Sequence, residues 1–230
     1  MQYLAQKKII IMLLLTITFM PNSIYTIDQN NLPEPYKSVM LLKPDFHGWL
    51  SDHNKRKLQD FVTALQPQII LEVGSWLGLS AIFFASLVPN ETKIYAVDHW
   101  QGSIEHHSES QFHSKLSILY QQFLSNIIHS GTADKIIPVK MSSLEAAQIL
   151  NIKPNLIYID GSHKEKDVFD DIMAWYPKLS SGGILCGDDY NWGSEKYGGI
   201  VRNGVNKAAQ ILGLPVFVEG DIFWYFPPKK

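Results

Sequence analysis

A single cysteine in 230 residues, Cys186, leaves no partner for an intramolecular disulfide and rules out a cysteine-rich metal site. Its place in the apolar run "ILCG" reads as a small core residue. Basic charge is not in excess either. Twenty lysines and arginines stand against 22 acids, a net charge of -2, so no electrostatic footprint for nucleic acid is present. The G-x-G-x-x-G pattern of a nicotinamide-dinucleotide fold is missing. Internal repeats and a second domain are missing too. What remains is an ordinary globular composition, 46% hydrophobic and 18% charged, enough for one sizeable core.

The N-terminus departs from this plainness. Lys7 and Lys8 precede the apolar run Ile9 to Met20, and Pro21 ends it. A charged start followed by a short apolar stretch reads as a secretory signal. The run is short for a membrane span, which needs about 20 residues. No small-residue cleavage site follows, so an uncleaved anchor is the companion reading, and a natural start at Met20 or Met40 is a third. The expected organisation is a signal or anchor segment over 1–24, a linker or loose arm over 25–50, and one domain over 51–230. The first segment implies export, or membrane contact through the anchor. A homo-oligomer is left open.

From Ser51 the pattern becomes regular. Leu58, Phe61, Val62 and Leu65 share one helical face before Pro67. Strands are expected at 69–73, 93–98, 135–140, 155–160 and 182–188. Helices are expected at 79–88, 114–129, 143–150, 165–178 and about 200–212. Two β-rich runs, "PVFVEG" and "DIFWYF", close the chain. This alternation predicts an α/β fold: a Rossmann-like, doubly wound, mostly parallel seven-stranded sheet with an antiparallel edge hairpin. Ligands in such sheets bind beyond the carboxyl ends of the strands. Glu72, Asp98, Asp160, Asp188 and Asp189 all fall there.

The loop "EVGSWLGLS" joins the first strand to its helix. Gly74 permits a tight turn beside a ligand, and Gly78 allows close packing at the helix start. Asp98 ends the next strand about 20 residues on, where an acid binds ribose hydroxyls. Together with "YIDGSH" and "GGILCGDDY", these motifs resemble class I S-adenosylmethionine-dependent methyltransferases. The nearer likeness is to their metal-dependent O-methyltransferase branch, which includes catechol and macrolide-sugar enzymes. It covers about residues 68–192.

The resemblance implies roles. Glu72, Gly74 and Ser80 would hold the amino-acid end of S-adenosylmethionine, with Ser75 and Gly78 lining the same loop. Asp98 would bind the ribose. Trp100 would stack near the adenine or belong to the core. Ser143 would approach the adenine edge or cap the following helix. Asp160, Asp188 and Asp189 would ligate a divalent metal, with oxygen donors favouring Mg²⁺ and admitting Ca²⁺ or Mn²⁺. A bound cation lowers the pKa of an acceptor hydroxyl and positions it. The acceptor would be a small hydroxylated molecule, a vicinal diol or a sugar. His163, one turn past Asp160, is the candidate general base, in competition with Lys164 and Lys166. The stretch holding His99, His106, His107 and His113 is expected as a mobile polar lid. Tyr190 and Trp192 would wall the acceptor pocket. The competing reading is a methyltransferase fold that binds a ligand or partner without catalysis. A two-histidine oxygenase triad would need a second imidazole at the site.

Overall fold

Ser51 starts the regular part of the chain, because its Oγ accepts from the backbone N–H of Asn54 at 3.1 Å and caps helix α1 (Asp52–Leu65). Gln66, in the left-handed region with φ 43°, ends it just before Pro67. The computed structural model describes residues 28–194, 199–220 and 222–230. The expected signal or anchor segment (1–24) lies outside them. No helix among the described residues is long and apolar enough to cross a membrane.

After α1 come β1 (Ile69–Val73), α2 (Leu79–Leu87), β2 (Lys93–Asp98), α3 (Ile104–Ser108), α4 (Ser110–Leu116) and α5 (Leu119–His129). Then follow β3 (Ile136–Lys140), α6 (Ser143–Ile149), β4 (Leu156–Ile159), α7 (Glu165–Trp175) and β5 (Ile184–Gly187). A short ribbon, β6 (Gly193–Ser194) and β7 (Gly199–Ile200), leads to α8 (Val201–Leu212), β8 (Phe217–Glu219) and β9 (Phe223–Tyr225). The main sheet has seven strands in the order β3-β2-β1-β4-β5-β9-β8. Its first five are parallel, and β9 pairs antiparallel with both β5 and β8. The expected architecture is therefore present, hairpin included.

Apolar side chains fill both faces of this sheet, as a parallel sheet requires. Leu58, Val62, Phe84, Phe123 and Ile127 pack one face, and Val168, Ile172, Trp175, Val205 and Ala208 the other. The sheet changes direction at β1, which lies between β2 and β4. The loops after β1, β2, β4 and β5 therefore open onto one crevice.

Two expectations differ from the structure. The single helix expected over 114–129 is two helices, α4 and α5, parted at Ser117–Ile118. Tertiary contacts override the local pattern here: Lys115 pairs with Asp45, and Phe112 is buried against Trp49, Trp76 and His106, which draws α4 onto the crevice. The second difference is the arm before α1, which is packed rather than loose. Tyr36 is fully buried, and its hydroxyl donates to Ile136 O at 2.8 Å. One face of α5 then grips the arm's backbone. Gln121 donates to Met40 O, Gln122 to Lys43 O, and Ser125 Oγ accepts from Leu42 N.

Asn126 is the centre of that grip. Its amide accepts from Asp45 N at 2.9 Å and donates to Asp45 O at 2.6 Å and Leu77 O at 2.8 Å. Asn126→Ala strands the buried carbonyl of Leu77 and the part-buried N–H and carbonyl of Asp45, a fully buried group costing roughly 1–3 kcal/mol. Urea unfolding should show a loss of about 2–4 kcal/mol; a change below about 0.5 kcal/mol, the usual range of a surface substitution, would mean the grip is idle.

Candidate functional site

Strand ends supply the site's backbone geometry. Among the described residues, three of the four non-glycine residues with positive φ sit just past strands: Trp76 (46°) after β1, Trp100 (50°) after β2 and Asp189 (59°) after β5. Such conformations are costly and collect where a site needs them. Gly74, at φ 89°, cannot be replaced cheaply. A Cβ there would lie 2.1 Å from Asp160 O, so β1 and β4 approach too closely for any side chain.

Asp98 organises the loop after β1. Its Oδ2 accepts from Ser75 N and Trp76 N, both at 3.0 Å, and its Oδ1 from Trp100 N at 2.6 Å. Gly74, Ser75, Ser80 and Asp98 border a cavity of about 820 Å³. Glu72 does not: it is fully buried beneath the loop and accepts from Ser75 Oγ. Burial pushes its carboxyl up to about 7, against the hydroxyls of Ser75 and Ser80 that hold it down. Glu72, expected to hold the cofactor's amino-acid end, thus stands beneath the loop rather than on the cavity wall. Gly78 is also off the cavity wall. It faces α5, where a Cβ would stand 3.1 Å from Phe123 and Ile127, away from the cavity.

Trp100 borders the cavity, but its ring packs on Tyr120 and Phe123 and its Nε1 donates to Trp76 O at 2.9 Å. Ser143 also borders it. The cap of α6 is its neighbour Ser142, paired with Glu145 in a capping box. Ser143 Oγ instead accepts from Trp175 Nε1 at 2.8 Å and hydrogen-bonds Asp171, whose carboxyl burial raises to about 7.

Past β4 and β5, one ligand atom each from Asp160, His163 and Asp189 lies within 4.8 Å of the others, with no ion present. The expected trio was Asp160, Asp188 and Asp189. Asp188 is turned inward: Oδ2 accepts from Asn54 Nδ2 of α1 and from the Tyr158 hydroxyl at 3.4 Å, and Oδ1 from Asp189 N at 2.8 Å. The Tyr158 hydroxyl also reaches Asp160 Oδ2 at 3.2 Å. His163 joins Asp160 and Asp189, with Nε2 at 3.0 Å from Asp189 Oδ2.

Electrostatics favour a cation at this group. Burial, then the charges of Asp188 and Asp189, drive the Asp160 carboxyl well above the ordinary carboxylate range. Burial and Asp189 raise Asp188 too. Burial opposes charge on His163 as well, yet the hydrogen bond and charge of Asp189, then Glu105, hold its pKa above the usual histidine value. Asp160 and Asp189 offer oxygen donors for a divalent ion, with the His163 imidazole beside them.

Sequence reasoning missed the far wall. His47 and Trp49 arrive on the arm, Trp76 on the glycine loop, and Glu105, His106 and Phe112 on α3 and α4. Trp76 stacks on His106 with ring centroids 4.1 Å apart, and Trp49 lies 5.8 Å from both. The expected lid is thus helical and anchored by aromatic contacts. Trp192 borders the cavity, its ring 4.2 Å from that of His163, whereas Tyr190 donates to Asn206 at 2.9 Å and does not border it. Lys164 borders the cavity; Lys166 does not, and it pairs with Asp170.

A doubly wound sheet with this strand order, a glycine turn after β1 and an acid ending β2 defines the class I methyltransferase architecture. The family model for a methyltransferase domain matches residues 71–190, and the chain belongs to that family. The uncharacterized protein y4gI of Sinorhizobium fredii is 29% identical over 136 residues, 56% of this chain; the match spans only 14% of that longer protein. Among solved structures, the chain resembles the O-methyltransferase TomG of Streptomyces achromogenes in complex with S-adenosylmethionine (TM-score 0.59, 15% identity, 81% of this chain and 83% of that one). An O-methyltransferase of Bacillus cereus in complex with S-adenosylhomocysteine is similar at TM-score 0.58 and 16% identity, over 79% and 83% of the two chains. The O-methyltransferase NovP is similar at TM-score 0.60 and 15% identity, over 77% and 79%.

Proposed function

We propose that the protein is an S-adenosylmethionine-dependent O-methyltransferase that methylates a hydroxyl of a small acceptor, a vicinal diol or a sugar, with the help of a divalent cation, Mg²⁺ in the first instance. One observation carries this reading: the Asp98-held loop and the Asp160–His163–Asp189 group open into the same cavity of about 820 Å³. That volume suits a cofactor and a small acceptor together.

Asp98 binds the ribose and fixes the loop, and Ser75 and Ser80 meet the amino-acid end of the cofactor. S-adenosylmethionine supplies a methyl group on a sulfonium, open to in-line attack by an oxygen. Asp160 and Asp189 would hold a divalent cation, which would supply acidification and orientation of the acceptor hydroxyl. His163, whose imidazole adjoins Asp189, serves as the general base for the hydroxyl proton. Asp188 holds the strand end from behind through Asn54 and Tyr158. The wall restricts the acceptor. Among the described residues, eight carboxylates border the cavity against one ammonium, Lys164, so a phosphate or carboxylate on the acceptor meets little counter-charge.

The test is transfer of a labelled methyl group from S-adenosylmethionine to a panel of catechols and sugars, with Mg²⁺ and then with a chelator. Transfer that needs the metal is expected. Cofactor binding with no transfer to any acceptor would favour a binding protein on the same fold.

A further inference from the structure

Where the turn after β3 meets α7, the cavity wall carries an acid that the reaction outlined above does not use. Lys140 of β3 is in register with Asp98 of β2, so the turn at Met141–Ser143 begins beside the carboxylate proposed for the ribose. Met141, Ser143 and Leu144 border the cavity there, and so does Asp171 of α7. Asp171 is only 6% exposed. A carboxyl set so deep in a cavity wall calls for hydrogen-bond donors.

The chain meets that demand only in part. The buried Trp175 donates through Nε1 to Ser143 Oγ at 2.8 Å, and Ser143 spends its one hydroxyl proton on Asp171. This relay holds the carboxyl and supplies one donor, but a carboxylate accepts from several directions. The other charges that act on it are those of Asp167 and Asp170, both acidic. Burial raises the Asp171 carboxyl to about 7, so a further donor would stabilise its charged form. Its neighbours on the wall are already engaged. Asp167 accepts from Ser162 Oγ at 2.7 Å, Asp170 pairs with Lys166, and Ser142 caps α6 with Glu145. Asp171 is thus the buried acceptor of this end of the cavity, and its acidic surroundings suit an uncharged N–H donor and repel phosphate.

We propose that Asp171 is a specificity-determining residue for the base of the cofactor: it accepts the exocyclic amino group of adenine, with the Trp175–Ser143 relay holding its carboxyl for that contact. Met141 and Leu144 offer apolar surface to a flat ring beside it. The proposal rests on the S-adenosylmethionine reading given above and concerns which base is accepted, not whether the methyl group is transferred.

Calorimetry with S-adenosylhomocysteine and with its 6-deamino analogue, purine in place of adenine, reads the contact as a ratio of affinities and needs neither acceptor nor metal. Wild type should bind S-adenosylhomocysteine about 10–100-fold more tightly than the analogue, the range of a hydrogen bond to a charged group. Asp171→Ala should lose most of that preference. It should bind S-adenosylhomocysteine more weakly and the analogue at least as well as wild type does, because no buried carboxyl is then left short of a donor. Asp171→Asn, whose amide oxygen still accepts, should keep part of the preference. Equal affinities in wild type overturn the proposal without recourse to any variant. An Asp171→Ala protein that keeps the preference overturns it too, as does one that weakens both ligands in the same proportion, the result of a purely structural role. Wild type that binds neither ligand would contradict the S-adenosylmethionine reading itself, and this proposal with it.

Discussion

Asp98→Ala should weaken S-adenosylmethionine binding by about 100-fold or more in calorimetry. Asp98 ends β2, where the proposed function has it bind the ribose, and it accepts three backbone N–H groups, from Ser75, Trp76 and Trp100. Hydrogen bonds to a charged group contribute roughly 1.5–3 kcal/mol each, and about 2.7 kcal/mol is already a factor of 100. Removing the carboxylate frees Trp76 and Trp100 from the left-handed conformations they adopt against it. Asp98→Asn is the companion variant: it keeps an acceptor for the loop and should retain more affinity than Ala while still falling short of wild type. A well-folded Asp98→Ala protein that binds at wild-type strength would remove Asp98 from the cofactor site.

Asp160→Asn should have opposite effects on stability and on function. In the metal-free protein, burial and two neighbouring carboxylates hold the Asp160 pKa well above its ordinary 3.8. A carboxyl whose folded pKa lies above its unfolded value takes up a proton on folding. Its ionisation therefore costs stability once pH passes the unfolded value, and the cost grows until pH reaches the raised folded value. Asn has no such cost and can still accept from Tyr158. Metal-free Asp160→Asn should melt roughly 2–8 °C above wild type near neutral pH, the response of a chain this size to about 1–2 kcal/mol, and the gap should close as pH falls toward 4. Mg²⁺ should raise the melting temperature of wild type and leave the variant unmoved, and methyl transfer should fall by 10³-fold or more. A variant less stable than wild type at neutral pH without metal would contradict this electrostatic account.

Much of the fold was legible because its signals are local. Strands such as "IILEV" and "KIYAVD" are short apolar runs bounded by turns, and the helices between them end at glycine, proline or capping serines. The split between α4 and α5 was not legible, since Phe112 and Lys115 are drawn away by partners on the arm and the glycine loop, far off in sequence. The arm itself reads as a polar, proline-bearing linker, yet Tyr36 is fully buried and Leu32, Val39 and Leu41 pack on the core. It is also fastened by backbone hydrogen bonding to Gln121, Gln122, Ser125 and Asn126, which no pattern of the arm reveals.

The site divides the same way. Asp98, Asp160 and Asp189 were expected at the crevice because topology brings the parallel strand ends there, and all three border the cavity. Glu72 and Asp188 sit at strand ends as well, but each points inward, and side-chain direction at a strand end depends on partners such as Ser75 and Asn54 that only the fold supplies. Glu105 carries no signal in the sequence. It is one acid in a histidine-bearing polar stretch, and its burial against His163 follows from the packing of α3.

Calorimetric titration of the wild-type chain with S-adenosylmethionine and S-adenosylhomocysteine tests the central claim most directly. The cavity that Asp98 and the glycine loop border should bind both with single-site stoichiometry, and Asp98→Ala should lose both together. Wild-type protein that binds neither cofactor form, with or without Mg²⁺, would contradict the account.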